Sequence, residues 1–227
     1  MKRLVAAVAV GLLAFAAPAH GKTVVATGDS MIQIVDSFLA KELRPKHFRV
    51  KSDAHVGTGI SKTAQFDWVR RARYLARHYR PRATVVFLGA NEGFPLRWHG
   101  ERRNCCSRAW RQAYAARAQK MMRSFERRGA ARVYWLTIPA ARPHSWNRIY
   151  RAVNLALASA AKREPDAVRL LDMGAIFTPS GHFQQTIKRG GHRVSVRQSD
   201  GIHLNVAGAR IAARYVVRRM QRDKLFP

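Results

Sequence analysis

Short apolar runs alternate with longer amphipathic segments through most of the chain. The apolar runs predict β-strands at residues 23–27, 48–50, 84–88, 133–137 and 168–171. The amphipathic segments predict α-helices at residues 31–40, 66–79, 108–127, 146–162 and 205–220. In the second helix, for example, Ala72 and Leu75 share an apolar face while Arg73 lies on the polar face. The third run is apolar throughout, which is typical of a buried strand in a parallel sheet.

This alternation of strands and helices predicts an α/β fold. Because strand–helix–strand connections are right-handed, we expect a three-layer structure: a parallel five-stranded sheet with helices on both faces. Residues 183–187 and 193–196 depart from the pattern. They flank Lys188-Arg189-Gly190-Gly191 and predict an extra β-hairpin before the last helix. No repeat or linker interrupts the 227 residues, so a single folded domain is expected.

The first residues have the features of a secretory signal peptide. Lys2 and Arg3 precede an apolar run at residues 4–17, and Ala17-Pro18-Ala19 has the small-x-small form of a cleavage site. The run is too short to span a membrane comfortably. We therefore expect a signal peptide at residues 1–19, a domain at residues 20–227, and an exported protein that is periplasmic or secreted.

The chain is strongly basic, with 42 Lys and Arg residues against 13 Asp and Glu residues and a net charge of +29. Removal of residues 1–19 takes away two cations and no acid, which leaves +27. Such a charge attracts anionic polymers and anionic surfaces over long distances. It is spread over several helices, and no nucleic-acid-binding motif is present, so no specific nucleic-acid partner is expected. One arginine cluster, Arg97, Arg102, Arg103, Arg108 and Arg111, is expected to border the mouth of the site.

Two cysteines, Cys105 and Cys106, are adjacent in the sequence. Neighbouring cysteines rarely bridge each other, because the geometry strains the peptide between them. Two sulfurs without a histidine at ligand spacing also make a poor zinc site. An intermolecular disulfide is an alternative in an oxidising compartment, but two loop cysteines without a special role are favoured.

Four short segments combine the residue types of a serine hydrolase, and each follows a strand or precedes the last helix. They are Gly28-Asp29-Ser30, the loop with Gly57 and Gly59, Gly89-Ala90-Asn91-Glu92, and Asp200-Gly201-Ile202-His203. The carboxyl ends of parallel strands form the site edge of an α/β sheet, so the first three segments should meet there. Ser30 could simply cap the following helix or act as a nucleophile. In the last segment, a carboxylate can orient one imidazole nitrogen while the other nitrogen faces a serine.

These four segments, in this order, resemble the blocks of the SGNH, or GDSL-like, esterase and lipase superfamily, and most of all an exported bacterial group of uncharacterised members. The resemblance implies a flavodoxin-like SGNH hydrolase fold. It implies that Ser30 is the nucleophile, His203 the base and Asp200 its partner. It also implies an oxyanion hole made by the N–H groups of Ser30 and Gly59 and by the Asn91 amide. Gly57 is the alternative to Gly59, which is favoured by its Thr58-Gly59-Ile60 setting.

The third block has Glu92 where many members of the superfamily carry Asp. Asp29 is interpreted as a residue that binds the backbone and not as a second catalytic acid.

The implied chemistry is ester hydrolysis through an acyl-enzyme, which needs neither a metal nor a cofactor. We expect the substrate to be an acyl ester, with acetyl or other short acyl groups on an anionic envelope polysaccharide as the first choice. An O-acetyltransferase with the same triad is the second interpretation, and a lipase-like or thioesterase activity is the third. A different class of function, a basic envelope-binding protein with a degenerate site, is the remaining alternative.

Overall fold

The computed structural model describes residues 22–227, so the predicted signal peptide lies outside the described residues. The strands are β1 (Lys22–Gly28), β2 (Phe48–Ala54), β3 (Ala83–Phe87), β4 (Leu96–Trp98), β5 (Glu101–Arg103), β6 (Arg132–Leu136), β7 (Val168–Leu171), β8 (Thr186–Arg189) and β9 (His192–Ser195). The helices are α1 (Val35–Leu43), α2 (Trp68–Tyr79), α3 (Arg108–Glu126), α4 (His144–Ala161), α5 (Gly174–Phe177) and α6 (Val206–Arg222), with a 3-10 turn at Arg44–Lys46.

Five strands form one parallel sheet in the order β2-β1-β3-β6-β7. This is the strand order of a doubly wound, flavodoxin-like fold. All five residues of the central strand β3 are buried, as its apolar sequence predicts. One helix layer pairs α1 with α6, and the other packs α3 between α2 and α4. The predicted fold class is therefore confirmed.

The first helix begins later than the pattern predicts, at Val35 and not at residue 31. Turns occupy residues 30–34, and the Asp29 side chain and carbonyl accept the N–H groups of Met31 and Ile32. Ile34 then adopts a φ of 68°, which ends the turn and starts the helix. Ser30 is therefore not a cap of α1, and its hydroxyl is available for other contacts.

Two antiparallel hairpins are added to the sheet. One is the expected hairpin before α6, formed by β8 and β9. The other, β4 with β5, lies in the basic loop after β3, where no strands were predicted. No helix within residues 22–227 combines the length and apolar character that crossing a bilayer requires.

Cys105 and Cys106, which follow β5, are joined in a disulfide bond, so the prediction of two unbridged loop cysteines was wrong. The peptide bond between these residues is cis, and their Cα atoms are 3.0 Å apart.

Candidate active site

A cleft of about 390 Å³ opens at the carboxyl ends of β1, β2 and β3. It is lined by Ser30, Met31, Gln33, Ile34, Val56, Gly57, Asn91, Gln198, His203 and Leu204. Three of the five predicted site residues, Ser30, Asn91 and His203, therefore meet on one surface although they come from distant parts of the sequence.

Ser30, His203 and Asp200 form a continuous hydrogen-bonded line. Ser30 Oγ lies 2.7 Å from His203 Nε2, and His203 Nδ1 lies 2.5 Å from Asp200 Oδ2. The other carboxylate oxygen, Oδ1, accepts the backbone N–H groups of Ile202 and His203 at 2.8 and 3.0 Å. With Nδ1–H donated to the carboxylate, Nε2 is left as the acceptor of the serine hydroxyl proton.

The charge on Asp200 is favoured by its surroundings. Partial burial raises the pKa of the Asp200 carboxyl, but the hydrogen bonds from the His203 ring and from the two backbone N–H groups outweigh that effect. The pKa of Asp200 is therefore below its usual value. A carboxylate that stays ionised is what holds an imidazole in one tautomer.

A buried arginine supports the loop that carries Asp200 and His203. Arg197 is 2% exposed, and its Nη2 donates to the carbonyl oxygens of Gly201 and Ile202 at 3.1 and 2.8 Å. Gly201 has a φ of 71°, and a Cβ there would lie 2.4 Å from Arg142 Cβ. Only glycine fits this position, which explains the glycine between Asp200 and His203. The supporting role of Arg197 was not predicted, because it depends on a turn that a residue pattern does not reveal.

Asp29 ties the loop after β1 to the loop after β3. It is buried, and its carboxylate accepts the N–H of Met31 at 2.9 Å and those of Gly89 and Ala90 at 3.0 and 2.9 Å. Burial raises the pKa of Asp29, although these backbone hydrogen bonds favour its charged form. The contacts agree with its interpretation as a residue that binds the backbone.

The Asn91 amide sits between two of the blocks. Its Nδ2 lies 3.3 Å from Asp29 Oδ2 and 3.2 Å from the carbonyl oxygen of Thr58. Both distances are at the long end for N–H···O hydrogen bonds. These two acceptors fix the orientation of the amide at the wall of the cleft.

The two glycines of the second block have different surroundings. Gly57 lines the cleft and has a φ of 75°. Gly59 packs against Glu92, and a Cβ at Gly59 would lie 3.0 Å from the carboxyl atoms of that side chain. The assignment of the oxyanion donor to Gly59 stays a prediction, and the segment 57–59 as a whole borders the site.

Glu92 holds the loop at residues 57–61 in place through hydrogen bonds to Ile60 and Ser61. It is 6% exposed, and its Oε1 accepts the N–H of Ile60 at 2.7 Å and the Tyr114 hydroxyl at 2.9 Å. Its Oε2 accepts the N–H and the hydroxyl of Ser61 at 2.8 and 2.5 Å. Burial raises the pKa of Glu92 above its usual value, against the effect of these four donors. One signal of this role was visible in the sequence, the departure from Asp at this position.

A further, partly buried carboxylate, Asp53, lies near the end of β2. It accepts hydrogen bonds from the Arg71 guanidinium and, at 2.9 Å, from Thr27 Oγ1. Its Oδ1 lies 3.3 Å from His55 Nε2. Burial raises the pKa of Asp53, but the hydrogen bonds from Arg71 and Thr27 outweigh it and the net pKa is lowered. The cluster stabilises the start of the loop that leads to Gly57.

No arginine is among the residues that line the cleft, so the expected arginine border is not formed by its walls. Arg97, from that predicted cluster, lines a separate depression beside α2 and α3. Among residues 22–227, no group of three or more His, Cys, Asp or Glu side chains is placed to hold a metal ion.

Comparisons with known proteins agree with this architecture. The C-terminal catalytic domain of peptidoglycan O-acetyltransferase A from Streptococcus pneumoniae is 13% identical with a TM-score of 0.59, over 91% of this chain and 97% of that chain. A member of the lipolytic protein G-D-S-L family from Veillonella parvula is 12% identical with a TM-score of 0.53, over 88% and 99%. A family two carbohydrate esterase from Clostridium thermocellum, solved with cellohexaose, is 13% identical with a TM-score of 0.54, over 89% of this chain and 64% of that chain.

These identities are low, so the likeness shows a shared fold. No match was found among curated proteins. The resemblance to the SGNH, GDSL-like superfamily is confirmed by the fold. A family model described as "Protein of unknown function (DUF459)" matches residues 23–219, and the chain belongs to that family.

Proposed function

We propose that this protein is an exported serine ester hydrolase that removes acetyl or other short acyl groups from a cell-envelope glycan. The observation that supports it most is the line from Ser30 Oγ through His203 to Asp200, with distances of 2.7 and 2.5 Å. Nucleophile, base and orienting carboxylate are thus already within hydrogen-bond reach of one another.

In the first half of the reaction, His203 Nε2 takes the Ser30 hydroxyl proton while Oγ attacks the ester carbonyl carbon. The oxyanion accepts hydrogen bonds from the N–H groups of Ser30 and Gly59 and from Asn91 Nδ2. Donors of this kind lower the barrier by about 3 to 4 kcal/mol each. To reach the oxyanion, the Asn91 amide gives up its 3.2 Å contact with Thr58, a weak hydrogen bond.

In the second half, the carbon–oxygen bond to the alcohol breaks and the alcohol leaves with the proton from His203. Water then attacks the acyl-enzyme while His203 accepts its proton. Collapse of the second tetrahedral intermediate releases the carboxylic acid and returns the proton to Ser30. Apart from the ester and water, these steps use only side chains and backbone groups of this chain.

The substrate class follows from the cleft and from the comparisons. The cleft has a volume of about 390 Å³, and Met31, Ile34, Val56 and Leu204 give it an apolar part that suits a short acyl chain. The solved structures with this fold include an enzyme named for peptidoglycan and one named for carbohydrate esters. The predicted export and the high positive charge fit a substrate on an anionic envelope polymer.

Turnover of a short-chain aryl ester tests this function. We expect hydrolysis by the wild type, loss of hydrolysis with one equivalent of a serine-reactive phosphonate, and a phosphonylated peptide that contains Ser30. Ser30→Ala and His203→Ala should each abolish turnover, whereas the exposed neighbour Ser199→Ala should keep it. Substantial turnover by folded Ser30→Ala protein would refute the assignment of the nucleophile.

O-acetyl transfer to a glycan is the second candidate. It is favoured by the likeness to the O-acetyltransferase domain, which extends over 97% of that domain. The two activities share the acyl-enzyme and differ in what accepts the acyl group. Adding a glycan oligomer to the aryl acetate reaction distinguishes them: a transferase yields acetylated oligomer, and a hydrolase yields acetate. A protein that reacts with neither the ester nor the phosphonate would be a basic binding protein.

A further inference from the structure

A concentration of positive charge lies away from the cleft, in a groove between α2 and α3. We define the arginine groove by the eight residues that line it: Arg73, Ala76, Arg77, Arg80, Arg123, Ser124, Arg127 and Arg128. Six of these eight are arginines, and the groove encloses about 590 Å³. Nothing in the proposed ester hydrolysis uses them.

The arginines form two rows on neighbouring helices. Arg73 and Arg77 are four residues apart in α2, which places them on one helix face, and Arg80 follows the end of that helix with a φ of 42°. Arg123 and Arg127 are spaced by four residues across the end of α3, which packs against α2. Arg73 and Arg77 are therefore about one helical turn, or about 5.4 Å, apart along the axis of α2. Such rows suit a chain that carries one negative charge at regular intervals.

The groove continues toward the active-site edge of the sheet. Arg73 also lines the next depression, together with Arg97, Arg117 and Lys120. Ile60 and Thr63, which follow the 57–59 segment that borders the cleft, also line that depression, as do Trp98 and His99. A polymer lying in the groove would therefore run toward the candidate active site.

Few acids neutralise this surface. Within the described residues, Arg123 is the one arginine of the groove with a carboxylate partner, Glu164 at 2.7 Å. Asp67 lines the adjoining depression. Burial and the neighbouring charges of Arg80 and Arg82 lower the pKa of Arg127, a sign of like-charge repulsion. A bound polyanion would relieve that repulsion.

We propose that the arginine groove binds a linear phosphodiester polymer with a polyol backbone. Guanidinium groups match phosphate oxygens in a two-pronged geometry that ammonium groups lack. Within the described residues, the eight that line the groove itself include no aromatic side chain; Tyr74 and His78 line a separate depression that shares Arg73 and Arg77 with the groove. Single-stranded nucleic acids bind with bases stacked on aromatic rings, so the groove favours a polymer without bases. The proposal concerns binding and is independent of the ester hydrolysis.

Binding of fluorescently labelled poly(glycerol phosphate), measured by anisotropy, tests the proposal. The test variant is Arg77→Glu/Arg128→Glu, which reverses two exposed charges on opposite sides of the groove. The matched control is Arg218→Glu/Arg222→Glu, which changes the net charge equally at exposed positions of α6, in the other helix layer. Thermal melting shows whether each variant is folded, and Arg77→Gln/Arg128→Gln serves if the reversed pair is not.

We expect the groove variant to bind at least tenfold more weakly and the control less than threefold more weakly. The salt dependence of binding should also become shallower in the groove variant, by a slope of about 1 to 2. Ser30→Ala should bind the polymer as the wild type does. The binding result can therefore be interpreted even if the esterase assignment fails. Equal weakening of both variants would overturn the proposal, as would tighter binding of polygalacturonate or oligo-dT of equal charge.

Discussion

Glu92 offers the sharpest test of how the loops around the cleft are held. Its carboxylate accepts two backbone N–H groups, one at each oxygen: Ile60 at Oε1 and Ser61 at Oε2. The nearly isosteric change Glu92→Gln replaces one of these oxygens by an NH2 group. Whichever way the amide turns, its NH2 faces a backbone N–H that cannot reverse its direction.

The expected loss of stability follows from this donor–donor conflict. A buried backbone N–H left without an acceptor costs about 1 to 3 kcal/mol, and hydrogen bonds to a neutral acceptor are about 1 kcal/mol weaker than those to a charged one. The uncharged side chain recovers part of this, because burying it costs less. We therefore expect Glu92→Gln to lower the free energy of unfolding by about 2 to 4 kcal/mol in urea denaturation. Movement of the 57–59 segment should lower kcat for an aryl acetate tenfold or more.

Tyr114→Phe is the matched control for this prediction. It removes one donor from the same carboxylate, but Tyr114 belongs to α3 and not to the loop. It should cost about 1 to 2 kcal/mol of stability and leave kcat unchanged. Unchanged stability and kcat in Glu92→Gln would refute the reasoning. Equal losses of kcat in both variants would show that the loop is not the element that Glu92 positions.

Three further changes separate the roles around the cleft. Asp200→Asn should fold normally and lower kcat by about 10⁴-fold. The amide introduced by this change would donate to Nδ1 of His203, so the ring proton would move to Nε2, which could then no longer accept the Ser30 proton. A wild-type kcat would contradict this. Asn91→Ala should lower kcat by about 10² to 10³ with little change in KM; a raised KM with unchanged kcat would make Asn91 a substrate-binding residue. Asp53→Asn should destabilise the protein by about 2 to 3 kcal/mol near neutral pH. Hydrogen bonds from Arg71 help to hold the pKa of Asp53 below its usual 3.8. The difference in free energy of unfolding between wild type and Asp53→Asn should therefore be present above pH 3.8 and shrink as the pH falls through the lowered pKa. A difference that stays constant with pH would exclude the ion pair as its cause.

The sheet could be predicted because each of its strands is a local apolar run. The strand at 168–171 coincides with β7, and the third and fourth runs lie within one residue of β3 and β6. The start of α1 could not be predicted. It depends on the Asp29 carboxylate and on a positive φ at Ile34, a conformation that a β-branched residue rarely adopts. The hairpin of β4 and β5 has strands of three residues, too short to show a period.

The candidate site also contains residues that the sequence predicts and residues that it does not. Ser30, Asn91 and His203 could be identified because the four blocks keep their order along the chain, and the structure places these residues in one cleft. The partners of the carboxylates Glu92 and Asp53 could not be identified. Glu92 meets Tyr114 from 22 residues away, and Asp53 meets Arg71 from 18 residues away. Such pairs form only after the helices have packed on the sheet, so no local sequence pattern predicts them.

The distribution of charge around the cleft leads to a last prediction. Four of the chain's 13 acidic residues surround the cleft: Asp29, Asp53, Glu92 and Asp200. They bind backbone N–H groups, the half-buried guanidinium of Arg71 or an imidazole, and no arginine is among the described residues that line the cleft. Direct hydrogen bonds between buried or partly buried groups are screened much less by salt than the attraction between distant surface charges. Hydrolysis of a small neutral ester should therefore change less than twofold between about 0.05 and 0.3 M NaCl, whereas turnover of an ester carried by an anionic polymer should fall steeply as the Debye length drops below about 10 Å. Equal salt dependence of turnover for the two substrates would show that the surface arginines of the protein do not recruit the polymer.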